Sequence, residues 1–340
     1  MTDKSLNRYS RQILFAGIGE KGQQQLLNSR AVIVGAGALG SFHAVALAQA
    51  GVGEIVIVDR DYVEPSNLQR QWLFEESDAR QLLPKAVAAR DRLANINSSI
   101  SVEAVIADLT PENAERLLLP ADVILDGCDN FETRYLINDV AIKNEIPWIY
   151  GAAVGSYGLT MPILPGTSAC LTCMFPQLPS GIQPTCDTAG IVNAASSAIA
   201  SLQVADALKI LVGCFENVEP RLLTLDVWNN SIQTVSVAQR DDVCPTCVSK
   251  NFKYLGRKHR PAAMLCGRNA VQINYRERPL DLSELRRSLE PLGEVRSNDY
   301  AVCFRCAPHE MTIFNDGRAI VKGTDDVALA RSLYARYVGV

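Results

Sequence analysis

The chain has 340 residues, 48% of them hydrophobic, which is too long for one typical domain and enough for a substantial core. Its formal net charge of −4 argues against a polyanion-binding surface and therefore against nucleic acid as a partner. The first residues lack the apolar core of a signal peptide, and no stretch reaches the ~18 uncharged apolar residues of a membrane span, so we expect a cytoplasmic protein with no membrane partner.

Strands and helices are predicted to alternate over the first 150 residues. The apolar patterns predict, in chain order, a helix at 20–29, a strand from residue 31, a helix at 39–50, a strand at 54–59, a helix at 86–95, strands at 100–106 and 122–126, a helix at 130–145 and a strand at 147–150. This alternation predicts an α/β fold with a Rossmann-like, doubly wound and mostly parallel sheet. Residues at the carboxyl ends of such strands face the ligand crevice.

The remaining residues predict a change of domain. A long helix at 191–213 and strands at 222–227 and 232–237 complete a first domain, 1–250. A basic, proline-marked stretch predicts a linker at 251–266, and residues 267–340 predict a small C-terminal α+β domain with a hairpin turn at 315–317. The sequence assigns no chemistry to this last domain.

A glycine turn links the first predicted strand to the helix that follows it. Gly35, Gly37, Ala38 and Gly40 offer backbone N–H groups to a phosphate at the helix N-terminus. Asp59 closes the next strand, where a carboxylate accepts both hydroxyls of a ribose. The segment therefore predicts a nucleotide site.

Cations near this turn indicate which nucleotide it holds. Arg70 lies just beyond the second strand, Lys85 begins a helix, Arg11 lies near the N-terminus, and Asp129 ends a later strand. Three cations with one carboxylate fit the neutralisation of phosphates and one Mg²⁺ ligand, which favours phosphoryl or nucleotidyl transfer over hydride transfer. Any one of these cations taken alone is more often a solvated surface charge, and only their joint placement favours a site.

Two cysteine pairs have the spacing of metal ligands. Cys170 with Cys173, and Cys244 with Cys247, each leave two residues between thiolates, which lets four sulfurs reach one tetrahedral ion. We expect one structural zinc site; the alternative is four buried thiols. Cys303-Phe-Arg-Cys306 has the same spacing, but it falls in a predicted strand, and we interpret it as packing.

Cys186 stands apart from these pairs, among Pro, Thr and Gly residues, and we expect it directly before the long helix. The partial positive charge of a helix N-terminus favours a thiolate, which makes Cys186 a candidate nucleophile. The alternative is an inert loop cysteine.

These motifs together resemble the MoeB/ThiF family, the bacterial relatives of ubiquitin-activating enzymes, over residues 5–250. The resemblance implies ATP-dependent adenylation of the C-terminal glycine of a ubiquitin-fold sulfur carrier protein of MoaD or ThiS type. It also implies a homodimer in which Arg11 reaches the triphosphate of the other subunit, and an acyl link between Cys186 and the carrier. By resemblance, the residues that hold ATP, Mg²⁺ and Zn²⁺ are Gly35, Gly37, Ala38, Gly40, Asp59, Ser66, Asn67, Leu68, Gln69, Arg70, Lys85, Asp129, Asn130, Cys170, Cys173, Cys244 and Cys247.

The chain departs from the family pattern in two places. Ala38 stands where the family usually has glycine, and it retains the backbone N–H that a phosphate needs. The C-terminal domain is too short for the rhodanese domain of some relatives, so we expect a separate sulfur donor protein. The sequence leaves open whether the carrier serves thiamine, molybdopterin or another product.

Two other functions remain open at this point. An NAD-linked oxidoreductase fits the glycine turn, but it is opposed by the cations and by the absence of an evident proton-relay histidine among His43, His259 and His309. The other is a non-catalytic, zinc-stabilised scaffold for a ubiquitin-fold partner.

Overall fold

The computed structural model describes residues 4–177, 185–236, 242–257, 262–265, 269–273 and 279–339. The strands are β1 Arg30–Val34, β2 Glu54–Asp59, β3 Ser101–Ile106, β4 Val123–Asp126, β5 Trp148–Val154, β6 Tyr157–Ile163, β7 Arg221–Asp226, β8 Ser231–Ser236, β9 Ala262–Leu265, β10 Ala270–Ile273, β11 Glu294–Ser297, β12 Ala301–Cys306, β13 His309–Phe314 and β14 Ala319–Lys322. The helices are α1 Ser10–Ile13, α2 Gly19–Leu27, α3 Gly40–Ala50, α4 Glu76–Arg80, α5 Lys85–Ile96, α6 Ala114–Leu118, α7 Phe131–Lys143, α8 Leu171–Met174, α9 Cys186–Ala189, α10 Asn193–Leu211, α11 Leu282–Leu289 and α12 Val327–Tyr337.

The chain forms two compact units. Unit 1 comprises residues 1–75 and 84–257, and unit 2 comprises residues 76–83 and 258–340. The segment 76–83 belongs to unit 2, where the side-chain amide of Asn298 donates to the carbonyls of Gln81 at 2.8 Å and Leu82 at 2.9 Å.

An eight-stranded sheet forms the centre of unit 1, in the order β3-β2-β1-β4-β5-β6-β7-β8. The first five strands are parallel and the last three pair antiparallel. The strand order reverses between β1 and β4, which is where ligands bind in folds of this kind. The predicted Rossmann-like, mostly parallel α/β sheet is therefore confirmed.

The turn after β1 requires glycine at two positions. Gly35 has a φ of +90°, a region that side chains other than glycine rarely adopt. A Cβ on Gly40 would lie 1.7 Å from the carbonyl oxygen of Gly35. The two glycines therefore allow α3 to start directly against the carboxyl end of β1.

The long helix α10 covers one face of the sheet, where it packs against β5 and β6 and against α3. Within the described residues it is the one helix long and apolar enough, by length and composition, to pass for a membrane span, and half of that stretch is buried inside the fold. Asp206 and Lys209 form an ion pair at 2.8 Å within it. In this structure α10 is a helix of the unit 1 core.

Unit 2 is built on an antiparallel sheet in the order β11-β12-β13-β14-β10-β9. Helices α11 and α12 pack on one face of it through Leu285, Leu289, Ala330 and Tyr334. Both helices begin at aspartate caps, Asp281 and Asp326, whose carboxylates accept from backbone N–H groups. The predicted α+β character is confirmed.

The sequence patterns did not predict three of the strands, β6, β9 and β11. In β6, Gly158 and Pro162 interrupt the run of strand-forming residues, and the strand is held instead by antiparallel pairing with β5 and β7. His259, one of the three histidines considered from the sequence, lies outside the described residues.

The third cysteine pair lies in a strand as predicted, and its interpretation as packing stays a prediction. Both cysteines lie on β12, where residues three apart point to opposite faces. Cys306 packs against the core under α11 and α12, while the buried Cys303 faces the other side.

Candidate nucleotide-binding site

Asp59 lies at the carboxyl end of β2 and is tied to the glycine turn. Its carboxylate accepts from the backbone N–H of Ala36 at 2.6 Å and from that of Asp61 at 2.6 Å. Burial raises the pKa of Asp59, and the positive charge of Lys85 opposes that rise. The carboxylate of Asp59, which is predicted to bind the ribose, is therefore held in a fixed position beside the glycine turn.

The loop after β2 is ordered by hydrogen bonds between its side chains and its backbone. The side-chain oxygen of Asn67 accepts from the backbone N–H of Glu64 at 3.1 Å, and the guanidinium of Arg70 donates to the carbonyl of Ser66 at 2.7 Å. Asn67 is buried, Leu68 and Arg70 are half-buried, and Ser66 and Gln69 are exposed. The loop therefore holds the guanidinium of Arg70 through the carbonyl of Ser66.

Lys85 is buried with only 4% of its surface exposed, so it is not a solvated surface charge. Its ammonium lies 3.4 Å from a carboxylate oxygen of Asp61, and its backbone N–H donates to the carbonyl of Asp61 at 2.9 Å. Sequence reasoning missed Asp61. The structure shows that this residue joins Asp59, to which its own N–H donates, and Lys85.

Asp129 and Asn130 follow β4 at the same edge of the sheet. Asn130 caps α7, since its side-chain oxygen accepts from the backbone N–H of Thr133 at 2.8 Å. Its amide donates to the carboxylate of Asp129 at 3.2 Å. Asp129 is exposed, as a carboxylate that meets a solvated ligand must be.

A buried ion pair, also missed by sequence reasoning, supports this turn. The Nε of Arg134 in α7 lies 2.9 Å from a carboxylate oxygen of Asp126, and Nη2 donates to the carbonyls of Cys128 at 2.7 Å and Gly151 at 3.0 Å. The other oxygen of Asp126 accepts from the backbone N–H of Cys128 at 2.8 Å. The turn that carries Asp129 is thus held from both sides by one guanidinium–carboxylate pair.

Arg11 is not brought to this group. It lies in α1 and is exposed, and within the described residues no hydrogen bond or ion pair joins it to Asp59, Arg70 or Lys85. Its neighbour Gln12 donates to the carbonyl of Ala50, at the C-terminal end of α3.

The four cysteines of the two pairs meet in one cluster. The Sγ–Sγ distances are 3.8 Å for Cys170 and Cys173, 3.7 Å for Cys170 and Cys244, and 3.5 Å for Cys173 and Cys247, and all four sulfurs lie within 4.8 Å of one another. A tetrahedron of zinc–sulfur bonds of ~2.3 Å has sulfurs about 3.8 Å apart. The four thiols therefore fit a tetrahedral metal ion.

The surroundings of this cluster suit a structural site. The two turns are joined by a hydrogen bond of 3.0 Å between the hydroxyls of Thr172 and Thr246, both of which are buried. Burial and then the neighbouring thiols raise the pKa of Cys247 to about 12, so the thiols need a cation to become thiolates. Three of the four thiols are buried and Cys173 is half-buried, as in a structural rather than an open metal site.

Cys186 is placed differently from the expectation. It opens the separate four-residue helix α9, which is capped by Thr185 and ends at Gly190 with a φ of +74°. Ile191 then pairs with Gly155 before α10 begins. The expectation that Cys186 lies directly before the long helix is wrong, because α9, Gly190 and the bridge at Ile191 separate it from α10, which begins at Asn193. The thiol is half-buried, with its sulfur 3.7 Å from the carbonyl oxygen of Ala153.

Comparison with known proteins agrees with this architecture. The model of the ThiF family matches residues 9–246. The chain belongs to the ThiF family. This membership confirms the MoeB/ThiF resemblance, and the matched range contains every predicted site residue except Cys247, which follows it by one position.

Two curated ThiF-family relatives illustrate the similarity. Sulfur carrier protein ThiS adenylyltransferase of Bacillus subtilis (strain 168) is 48% identical over 336 residues, which cover 98% of this chain and 99% of that protein. The Escherichia coli (strain K12) protein of the same name is 36% identical over 252 residues, 74% of this chain and 98% of that protein. The alignment with the Bacillus subtilis protein therefore includes unit 2.

Solved structures show the same fold. A structure of Escherichia coli MccB with ATP has a TM-score of 0.61 and 25% identity, covering 71% of this chain and 74% of that one. A second, of MccB with MccA-N7isoASN, has a TM-score of 0.64 and 24% identity, covering 73% of this chain and 76% of that one. The crevice described above therefore lies in a fold that holds ATP in MccB.

Proposed function

We propose that this chain is an adenylyltransferase that uses ATP to activate the C-terminal glycine of a ubiquitin-fold sulfur carrier protein of ThiS type. The observation that carries the proposal is the 48% identity to a ThiS adenylyltransferase across 98% of this chain. The gathering of Asp59, Asp61 and Lys85 beside the glycine turn supports it, since ribose and phosphate ligands are then in one crevice.

The reaction is an in-line displacement at the α-phosphorus of ATP. A carboxylate oxygen of the carrier forms a bond to that phosphorus, the bond to the oxygen that bridges the α- and β-phosphates breaks, and pyrophosphate leaves. Arg70 and Lys85 stabilise the negative charge that develops on the phosphates, while Asp59 holds the ribose. The attacking carboxylate is already ionised, so no protein base is needed.

The residues at the end of β4 fit Mg²⁺. This ion binds through one or two carboxylates together with substrate phosphates, and the exposed Asp129 offers such a carboxylate next to the amide of Asn130. When bound, Mg²⁺ would neutralise phosphate charge and orient the triphosphate. Asp129 would hold it, and Asn130 would fix the direction of that carboxylate.

We further propose a homodimer, since Arg11 is exposed in α1 and separate from the crevice of its own chain. In the dimer the Arg11 of each subunit completes the triphosphate site of the other. Zn²⁺ held by the four-cysteine cluster would clamp the residues between Cys173 and Cys244.

Sulfur is proposed to come from a separate donor protein after adenylation. The thiolate of Cys186 is proposed to attack the acyl carbon of the carrier adenylate, so that a thioester forms, the bond to the AMP oxygen breaks and AMP leaves. The reaction is placed in the cytoplasm, where thiols such as Cys186 stay reduced.

Carrier-dependent exchange of labelled pyrophosphate into ATP tests the function. The purified chain is incubated with a ThiS-type carrier, a MoaD-type carrier, or a ThiS-type carrier that lacks its C-terminal glycine. We expect exchange with the first and none with the truncated carrier. Exchange with the MoaD-type carrier alone would reassign the substrate, and tight carrier binding without exchange would favour a scaffold. Protection against heat by NAD rather than ATP would favour an oxidoreductase.

A further inference from the structure

Gln203 is a fully buried polar residue in the middle of α10. Its amide nitrogen donates to the carbonyl of Asp126 at 3.0 Å and to that of Ile149 at 3.1 Å, and its amide oxygen accepts from His43 at 2.9 Å. The two carbonyls need the NH₂ group, which fixes the amide orientation and makes His43 the donor through Nε2. Both amide hydrogens of Gln203 and its amide oxygen therefore take part in hydrogen bonds inside the protein.

One carbonyl belongs to β4, which borders the crevice, and the other belongs to the neighbouring strand β5. Pairing between β4 and β5 ends at Leu125 and Ile149, so Asp126 is the first residue beyond it. The Gln203 amide takes the place of the strand-to-strand hydrogen bonds there and bridges the strands where they separate. Asp126 is followed directly by the turn that carries Asp129.

His43 connects this bridge to the other side of the crevice. It lies in α3, the helix that starts at the glycine turn, and it is fully buried. Its Nδ1 has no hydrogen-bond partner among the described residues, so its single polar contact is to Gln203. The network of His43, Gln203, Asp126 and Ile149 thus joins the glycine-turn helix to the Asp129 turn.

Gly151 makes room for the amide. A Cβ on Gly151 would lie 2.4 Å from the side-chain carbonyl carbon of Gln203. A side chain at 151 would displace an amide that makes three hydrogen bonds in a closed interior, so this glycine preserves the network.

We propose that Gln203 is a positioning residue for adenylation: by bridging β4 and β5 it sets the place of Asp129 relative to the glycine turn. The proposal rests on the proposed function, because Asp129 matters only if Mg²⁺ and ATP meet there. Gln203 touches neither substrate, so its effect runs through main-chain geometry. Misplacement of a reacting group by about 1 Å costs up to ~10²-fold in rate.

The test compares Gln203→Met with Asn97→Leu in the carrier-dependent exchange reaction. Asn97 is a matched control, because it is also fully buried and its amide donates to two oxygens, those of Tyr9 and Ala48. It follows α5 and precedes β3, at the amino edge of the sheet.

We expect Gln203→Met to lower kcat about 10- to 100-fold and to raise the Mg²⁺ concentration for half-maximal exchange, while KM for ATP changes less than about threefold. Gly151→Ala should have the same effect with Gln203 in place, and His43→Gln, which keeps a donor toward Gln203, should retain most of the rate. Asn97→Leu should lower thermal stability and leave the Mg²⁺ dependence unchanged.

Equal kinetics for folded Gln203→Met and Asn97→Leu would overturn the proposal. Absence of exchange in the unmodified protein would contradict the proposed function instead. In that case, amide hydrogen–deuterium exchange of the peptide 126–131 tests whether Gln203 positions this turn. Faster deuterium uptake in Gln203→Met than in Asn97→Leu would support the positioning role, and equal uptake would refute it.

Discussion

The guanidinium of Arg134 lies 2.9 Å from the carboxylate of Asp126, and the two side chains are 6% and 0% exposed. The pair is further held by the carbonyls of Cys128 and Gly151, which accept from the same guanidinium. Removal of one partner from such a pair leaves a buried charge without compensation. The turn that presents Asp129 therefore depends on an interaction that is not itself exposed to ligand.

Arg134→Met should lower the free energy of unfolding by about 3–5 kcal/mol, because it strands the buried Asp126 carboxylate. Denaturant titration measures the change. Arg221→Met is the control, since Arg221 pairs with Glu219 while 42% of its side chain is exposed, and its loss should cost less than about 1 kcal/mol. Equal costs for the two variants would contradict the importance of the buried pair.

Asp129→Ala should lower carrier-dependent exchange at least ~10²-fold at fixed Mg²⁺, since a developing phosphate charge loses its metal ligand. The exchange rate of Asp129→Asn, which keeps an oxygen but no charge, should lie between the rates of Asp129→Ala and the unmodified protein. Asp122→Ala is a matched control, because Asp122 is also exposed but lies at the amino end of β4, where it accepts from the N–H of Arg30. Exchange that survives in Asp129→Ala would remove the metal role from this residue.

The sequence was informative where the signal is local. The glycine turn and Asp59 are bracketed by strands of strong apolar pattern, and the two-residue spacing of each cysteine pair is readable directly, so the sheet and the four-sulfur cluster were predicted. Cys186 was misplaced because it opens a separate short helix, α9, which Gly190 ends and which the composition did not reveal.

The residues that were missed lack any local signal. Gln203 bonds to His43 and Asp126 across 160 and 77 residues of chain, and its own helix pattern is that of an ordinary core helix. Asp61 reaches Lys85 across 24 residues, through a turn whose path the sequence does not specify. Such contacts arise from tertiary packing, and the local residue pattern of a single sequence does not show which distant residues meet.

Metal analysis of the purified protein should give one zinc ion per chain. Cys244→Ser should abolish that stoichiometry and lower the free energy of unfolding by at least ~2 kcal/mol, because the remaining buried thiols lose the ion that joins both turns. Cys303→Ser is the control, since Cys303 is buried but lies outside the cluster. Full zinc content in both variants would contradict the assignment of these ligands.

Cys186→Ser should leave exchange unchanged and abolish the covalent link to the carrier, because the cysteine acts after adenylation. Mass spectrometry of the protein with carrier and ATP measures the conjugate. Cys214→Ser, at another half-buried thiol, should keep it. A conjugate of equal yield in Cys186→Ser would show that another residue takes the acyl group.

His43 gives the protein an acid-dependent loss of stability. Burial lowers the pKa of His43 from 6.5 to about 4, an effect that its hydrogen bond to Gln203 only partly offsets. Between those two values the unfolded chain binds a proton that the folded chain excludes. The contribution is therefore fully present above pH 6.5 and falls, by up to about 3 kcal/mol, as the pH decreases to 4.

Denaturant titrations at several pH values between 4 and 7 measure this slope. His43→Gln removes the titrating group while keeping a donor toward Gln203, so the variant should lose most of the decline. His309→Gln, in unit 2, should retain it. If His43→Gln kept the full decline, protonation of His43 would not be its cause.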